Sequence, residues 1–75
     1  MTAYHFTIHD DGTGVEDLGT MSLEDDNQAR AFAARVIADL MHRAPTEYSR
    51  RTLDITEGKR AVGSIIFAGI AHARQ

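Results

Sequence analysis

The hydrophobic pattern of this chain changes period twice. Tyr4, Phe6 and Ile8 alternate with His5, Thr7 and His9; Ala29, Ala33, Val36, Ile37, Leu40 and Met41 recur at spacings of three and four; Leu53 and Ile55 then alternate with Thr52, Asp54 and Thr56. Alternation lines one face of a strand, and the three-four spacing lines one stripe of a helix. Strand, helix and strand within 75 residues imply one helix laid on one small sheet. No Cys is present to staple the fold, so neither disulfides nor thiolate zinc is available to it. A chain of this size buries only about 60% of its unfolded surface, which makes oligomerisation a natural reinforcement.

Local signals complete the order. Asp10, Asp11, Gly12, Thr13 and Gly14 form a turn, because Asp accepts backbone hydrogen bonds and Gly tolerates positive φ. A second strand follows between Val15 and Leu23, with Gly19 weakening its middle. Asp25 and Gln28 have capping-box spacing, and the acids Asp25 and Asp26 suit the positive end of a helix dipole. The helix runs to Ala44 and stops at Pro45, which has no N–H to donate. Gln28, Arg35, Asp39 and His42 gather on its polar face, and Phe32 borders the apolar stripe. Residues 46–50 read as a polar connection. Glu57, Gly58, Lys59 and Arg60 read as a hairpin turn into a last strand over residues 61–70. The expected architecture is α+β, ββαββ: one domain spanning residues 1–75, with two β-hairpins forming an antiparallel sheet packed on one amphipathic helix.

The last strand carries Val62, Ile65, Ile66, Phe67 and Ile70 on both parities. One helix covers one face, so large apolar side chains are expected on the other. Leaving each of them wet costs about 1.5 to 3 kcal/mol. A homodimer closed over the sheet face or along an edge strand follows as the expectation. Val62, Ile66 and Ile70 are the contacts if the sheet face is used, with His5, Thr7 and His9 on the same kind of surface. Docking of the tail, residues 68–75, over that face is the alternative.

Charge is segregated. The first 28 residues hold seven of the eleven acids and no Lys or Arg; the remainder holds all eight basic residues, so the net charge of −3 divides into −7 and +4. The halves would attract each other within one fold, or an acidic end of one molecule would meet a basic region of another. An acidic balance disfavours non-specific nucleic-acid binding. Arg50, Arg51, Lys59 and Arg60 form the basic concentration, with Tyr48 near enough in sequence to stack on a base. Asp54 and Glu57 lie between those cations, so solvated charge is the preferred reading. No stretch reads as a signal peptide or a membrane span, and the expected location is the cytoplasm.

No catalytic, cofactor or metal site is expected. The acids around Gly12 and Gly14 lack EF-hand spacing and read as a solvated turn, although weak binding of a divalent cation stays open. His5 and His9 share a strand face about 13 Å apart, too far for one metal to bridge. A neighbouring strand or a dimer axis would bring each another partner, and a pH-sensitive dimer is the economical special role. His42 and His72 have no companion at ligand spacing. Gly12-Thr13-Gly14 opens no helix and runs into acids, which excludes a dinucleotide fingerprint. Ser22, Ser49 and Ser64 lack a nucleophile elbow. A composite enzyme site from His5, His9 and the acidic turn of two copies ranks last.

The pieces Tyr4-His5-Phe6-Thr7-Ile8, Asp11-Gly12, Asp17 and Gly19, Ala29-Arg30 with Ala33, and Leu53-Asp54-Ile55-Thr56 followed by Glu57 and Gly58 together resemble a family of short bacterial domains of unknown function. Its members open with an aromatic strand and an Asp-Gly turn. The resemblance implies the ββαββ order and brings no catalytic residues with it. The functional expectation is a small non-catalytic interaction or regulatory domain acting as a homodimer, or binding another protein. A nucleic-acid-associated accessory protein is the alternative.

Overall fold

A computed structural model describes residues 1–10 and 14–67. Its elements are β1 (Thr2–His9), β2 (Val15–Leu23), α1 (Asp26–Arg43), α2 (Pro45–Tyr48), β3 (Thr52–Glu57) and β4 (Arg60–Ile66). The four strands form one antiparallel sheet in the order β2-β1-β3-β4. The ββαββ arrangement is therefore present, with the two strands of clearest alternation, β1 and β3, at the centre. Expectations that fall on Asp11, Gly12, Thr13, Ile70, His72 and the tail lie outside the described residues.

The core follows the period change. Tyr4, Phe6 and Ile8 of β1 and Leu53 and Ile55 of β3 face Ala29, Ala33 and Ile37 of α1, and all eight are buried. Small residues at 29 and 33 let the helix approach the sheet closely, which is how so short a chain excludes water from three large β1 side chains. Asp25 caps α1: its carboxylate accepts the Gln28 N–H at 2.9 Å. Gln28 reaches back one residue further than a standard capping box, accepting from the Glu24 N–H at 3.2 Å. The dipole is matched by Asp26 in the first turn and by His42 and Arg43 in the last.

Three expectations change. Residues 46–50 are not simply a connection: α1 ends at Arg43, and Pro45 opens the four-residue α2, because Pro is pre-shaped for a first helical turn while being unable to continue a helix. Tyr48 of α2 stacks on buried Phe67, with ring centroids 5.7 Å apart. The last strand ends at Ile66, the part of the expected strand over residues 68–70 lying outside the described residues, and the Phe67 N–H bonds to the Arg51 carbonyl at 3.0 Å. Val62 does not share a face with Ile66. Ile55 pairs with Gly63 and Thr56 with Ala61, so Val62 is the extra residue of a β-bulge; it turns under the helix and is buried, while Ile66 stays 61% exposed.

A second bulge interrupts the first hairpin. Phe6 pairs with Gly19 and Thr7 with Asp17, leaving Leu18 as the extra residue. Gly19 sits at φ +95, where an L side chain is strained. The turn between β3 and β4 uses Gly58 at φ +59, followed by Lys59, which has no positive φ. Positive φ at the first central residue alone is the type II′ hairpin pattern.

Candidate interaction surface

The helix covers one side of the sheet, and pairing register defines the other. Its rows are Val15–His9–Thr52–Ile66, Asp17–Thr7–Asp54–Ser64 and Thr20–His5–Thr56–Ala61. His5, Thr7 and His9 do share this open face, but the large apolar surface expected beside them is not there among the described residues. Ile66 and Val15 stand at its two rims; between them the face is hydroxyl, imidazole and carboxylate.

Each imidazole is held by a neighbouring strand. His5 Nε2 lies 2.9 Å from Asp17 Oδ1, and its Nδ1 lies 3.0 Å from Thr20 Oγ1. The same Asp17 oxygen accepts the Gly19 N–H at 2.7 Å, tying the bulge to the histidine. His9 Nε2 lies 2.8 Å from Asp54 Oδ2, and Ser64 Oγ donates to the other oxygen of that carboxylate. In this Ser64–Asp54–His9 chain the carboxylate is in the middle. Nucleophilic catalysis needs the imidazole between hydroxyl and carboxylate, so that it can take the hydroxyl proton; here it does not touch the hydroxyl. No three His, Asp or Glu side chains gather as metal ligands among the described residues. Asp10 accepts the Gly14 N–H at 3.3 Å.

The basic residues divide between the two ends of β3. Arg51 lies 4.9 Å above the Tyr48 ring centre, 3.8 Å from Glu16 and 3.9 Å from Glu47. At the other end Arg60 grips Asp26 through two nitrogens, at 2.9 and 3.1 Å, and Glu57 at 2.6 Å. Arg50 and Lys59 are exposed beside them. Six strand residues separate the two ends by about 20 Å, so the four cations form no single patch. The acidic and basic halves instead meet inside the fold, through Asp26–Arg60 and Glu16–Arg51.

The Arg60 clamp also settles a buried phenol. Tyr4 O–H donates to Asp26 Oδ1 at 2.8 Å. Hydrogen bonds from Arg60 and then Tyr4 hold the Asp26 carboxyl down at about 2, and Arg60 is pushed up by its hydrogen bonds to Asp26 and then Glu57. The Tyr4 phenol is raised by burial and then by its bond to Asp26. One cluster thereby joins β1, the first turn of α1 and the β3–β4 hairpin.

The least covered element is β2. It is an edge strand nine residues long, paired on one side to β1. Val15, Leu18 and Met21 are 71%, 38% and 39% exposed. Behind it, between β2 and α1, opens an apolar groove of about 250 Å³ whose walls are Leu18, Met21, Phe32 and Val36 and whose floor is Phe6. Gly19 stands opposite Phe6 and adds no side chain to fill the groove, while the Phe6 ring itself is buried, with Phe32 meeting it edge-on at a centroid distance of 5.1 Å. Sequence reasoning missed Leu18 and Met21 as surface residues. The available signal was the glycine inside a strand pattern, which marks a bulge or an approach by another group.

No helix of the described residues is long and apolar enough to cross a membrane. No curated protein and no solved structure matches the chain. A family model matches residues 3–68, nearly the whole described fold, and by that match the chain belongs to the domain of unknown function family DUF6894.

Proposed function

We propose that this domain is a non-catalytic interaction module that receives a second polypeptide at the β2 edge, with the groove behind the strand taking an apolar side chain. The observation that carries the reading is the coincidence of an unpaired nine-residue edge with three exposed apolar side chains and an apolar groove. An unpaired edge offers N–H and C=O groups to an added strand, and pockets for alternate side chains supply selectivity. The Ser64–Asp54–His9 order supports the non-catalytic part. Self-association, expected through Val62, Ile66 and Ile70, draws support from Ile66 alone on the open face, since Val62 is core. Nucleic-acid association through Arg50, Arg51, Lys59 and Arg60 draws none from two separated, carboxylate-bound arginines.

Site-specific photo-crosslinking in the cells that make the protein tests the reading. Photoreactive residues at Val15, Leu18 and Met21 should give discrete adducts, and the same residue at Asp39 on the outer face of α1 should not. A homodimer would give adducts of twice the chain mass. Equal labelling from both surfaces, or none from β2, overturns the proposal.

A further inference from the structure

Resting on the β2-edge reading, we infer that the occupant is an extended segment of another protein in which apolar and basic residues alternate. The two faces of β2 set that alternation. On the helix side Leu18 and Met21 flank the groove, so every second residue of an added strand would be apolar there. On the open side, beyond Val15 at the rim, Asp17, Thr20 and Ser22 line up in register with Thr7, His5 and Ala3; the Asp17 carboxylate also holds His5 and the Gly19 N–H yet stays 64% exposed, and with the two hydroxyls it suits a Lys or Arg.

Charge favours the same partner. Glu16 and Asp17 lie on the strand, 48% and 64% exposed, and Glu24 and Asp25 follow it directly; no Lys or Arg precedes Arg30 in the chain. Arg51 approaches Glu16 only to 3.8 Å, too far for a strong charge-assisted bond. A second copy laid β2 against β2 would bring the same four acids of each chain along one ladder, where like charges oppose pairing. A basic strand relieves that repulsion and places its apolar residues over Phe6 and Phe32.

The test titrates the isotope-labelled domain with nine-residue peptides of alternating Val and Lys, Val and Ser, or Val and Glu, followed by NMR. The Val/Lys peptide should shift β2 amides together with those of Phe6, Phe32 and Val36. It should bind at least about tenfold more tightly than Val/Ser and weaken as salt screens the charges. Combined Glu16→Gln and Glu24→Gln, neither of which holds the bulge, should weaken it about fivefold, with changes in the free domain's spectrum confined to the neighbourhood of their contacts with Arg51 and Gln28. Equal binding of Val/Lys and Val/Ser at β2 overturns the basic partner and leaves the edge reading standing. Concentration-dependent β2 shifts with a doubled mass by light scattering overturn it in favour of a second copy. Absence of β2 shifts with every peptide overturns both.

Discussion

The two hairpins of this domain use the same device with opposite results. Each is antiparallel, and each carries one extra residue on its outer strand: Leu18 in β1–β2 and Val62 in β3–β4. In the second hairpin the bulge turns Val62 under the helix, to 8% exposure. Arg30 closes over it, donating to the Val62 carbonyl at 3.2 Å, and Arg60 ties the strand to Asp26 of α1. In the first hairpin the bulge brings Gly19 opposite Phe6, and Leu18 stays 38% exposed beside an open groove. A bulge re-aims one side chain; whether that completes a core or opens a surface depends on what the helix puts opposite it. The second hairpin is closed against the helix, and the first has a groove beside it.

Matched leucine truncations should separate the hairpins most sharply. Leu53→Ala, in a fully buried site, should cost about 2 to 5 kcal/mol, whereas Leu18→Ala should cost less than about 1 kcal/mol. Denaturant midpoints compared at constant slope check both, and equal losses would break the contrast. Glycines come next. Gly19→Ala forces an L residue to φ +95 and should destabilise by about 1 to 2 kcal/mol. At Gly63 an added Cβ would meet Arg30 Nε at 3.7 Å, an ordinary contact, so Gly63→Ala should be neutral or raise stability by up to about 1 kcal/mol. Thermal melts of the two variants give the sign directly.

Acid should act on the closed side. Asp26 is held at about 2 in the fold, against an ordinary value of 3.8. A carboxyl depressed by folding contributes stability that is complete above its unfolded value and is lost as pH falls through the folded one. The contribution of the Arg60 clamp should therefore fade between about pH 4 and pH 2. Asp26→Asn should remove that part of the acid limb from an unfolding-midpoint-against-pH profile, and an unchanged profile would show that the clamp does not couple to folding. The smallest effect belongs to the open face: Ser64→Ala should move stability by no more than about 0.5 kcal/mol, measured by the same denaturant midpoint. A larger loss would mean that the Ser64–Asp54–His9 chain braces the sheet.

Legibility followed the range of the interaction. Tyr4, Phe6, Ile8, Leu53 and Ile55 announce their strands because alternation is a property of adjacent residues. Asp25 and Gln28 announce the helix start because a cap is closed within three residues. The bulges were not legible. Val62 and Ile66 have strand parity in common, and the residue that separates their faces is found only by counting partners on β3. The same is true of the candidate surface. That His5 meets Asp17 and Thr20, and His9 meets Asp54, depends on which strands are neighbours, and the central position of β1 between β2 and β3 is not a local property. Even α2 escaped, because four residues carry too little periodicity to register.

By itself the sequence determined the order of the four strands and the main helix, the helix cap, the inward faces of β1 and β3 and the segregation of charge, since each arises from spacings of a few residues along one chain. Strand order, the two bulges, the partners of the histidines and the groove behind β2 were decided by the tertiary structure. Those features depend on contacts between segments distant in sequence, where one unpaired residue reverses a side chain's face and one missing side chain, at Gly19, leaves a groove above the buried Phe6 ring.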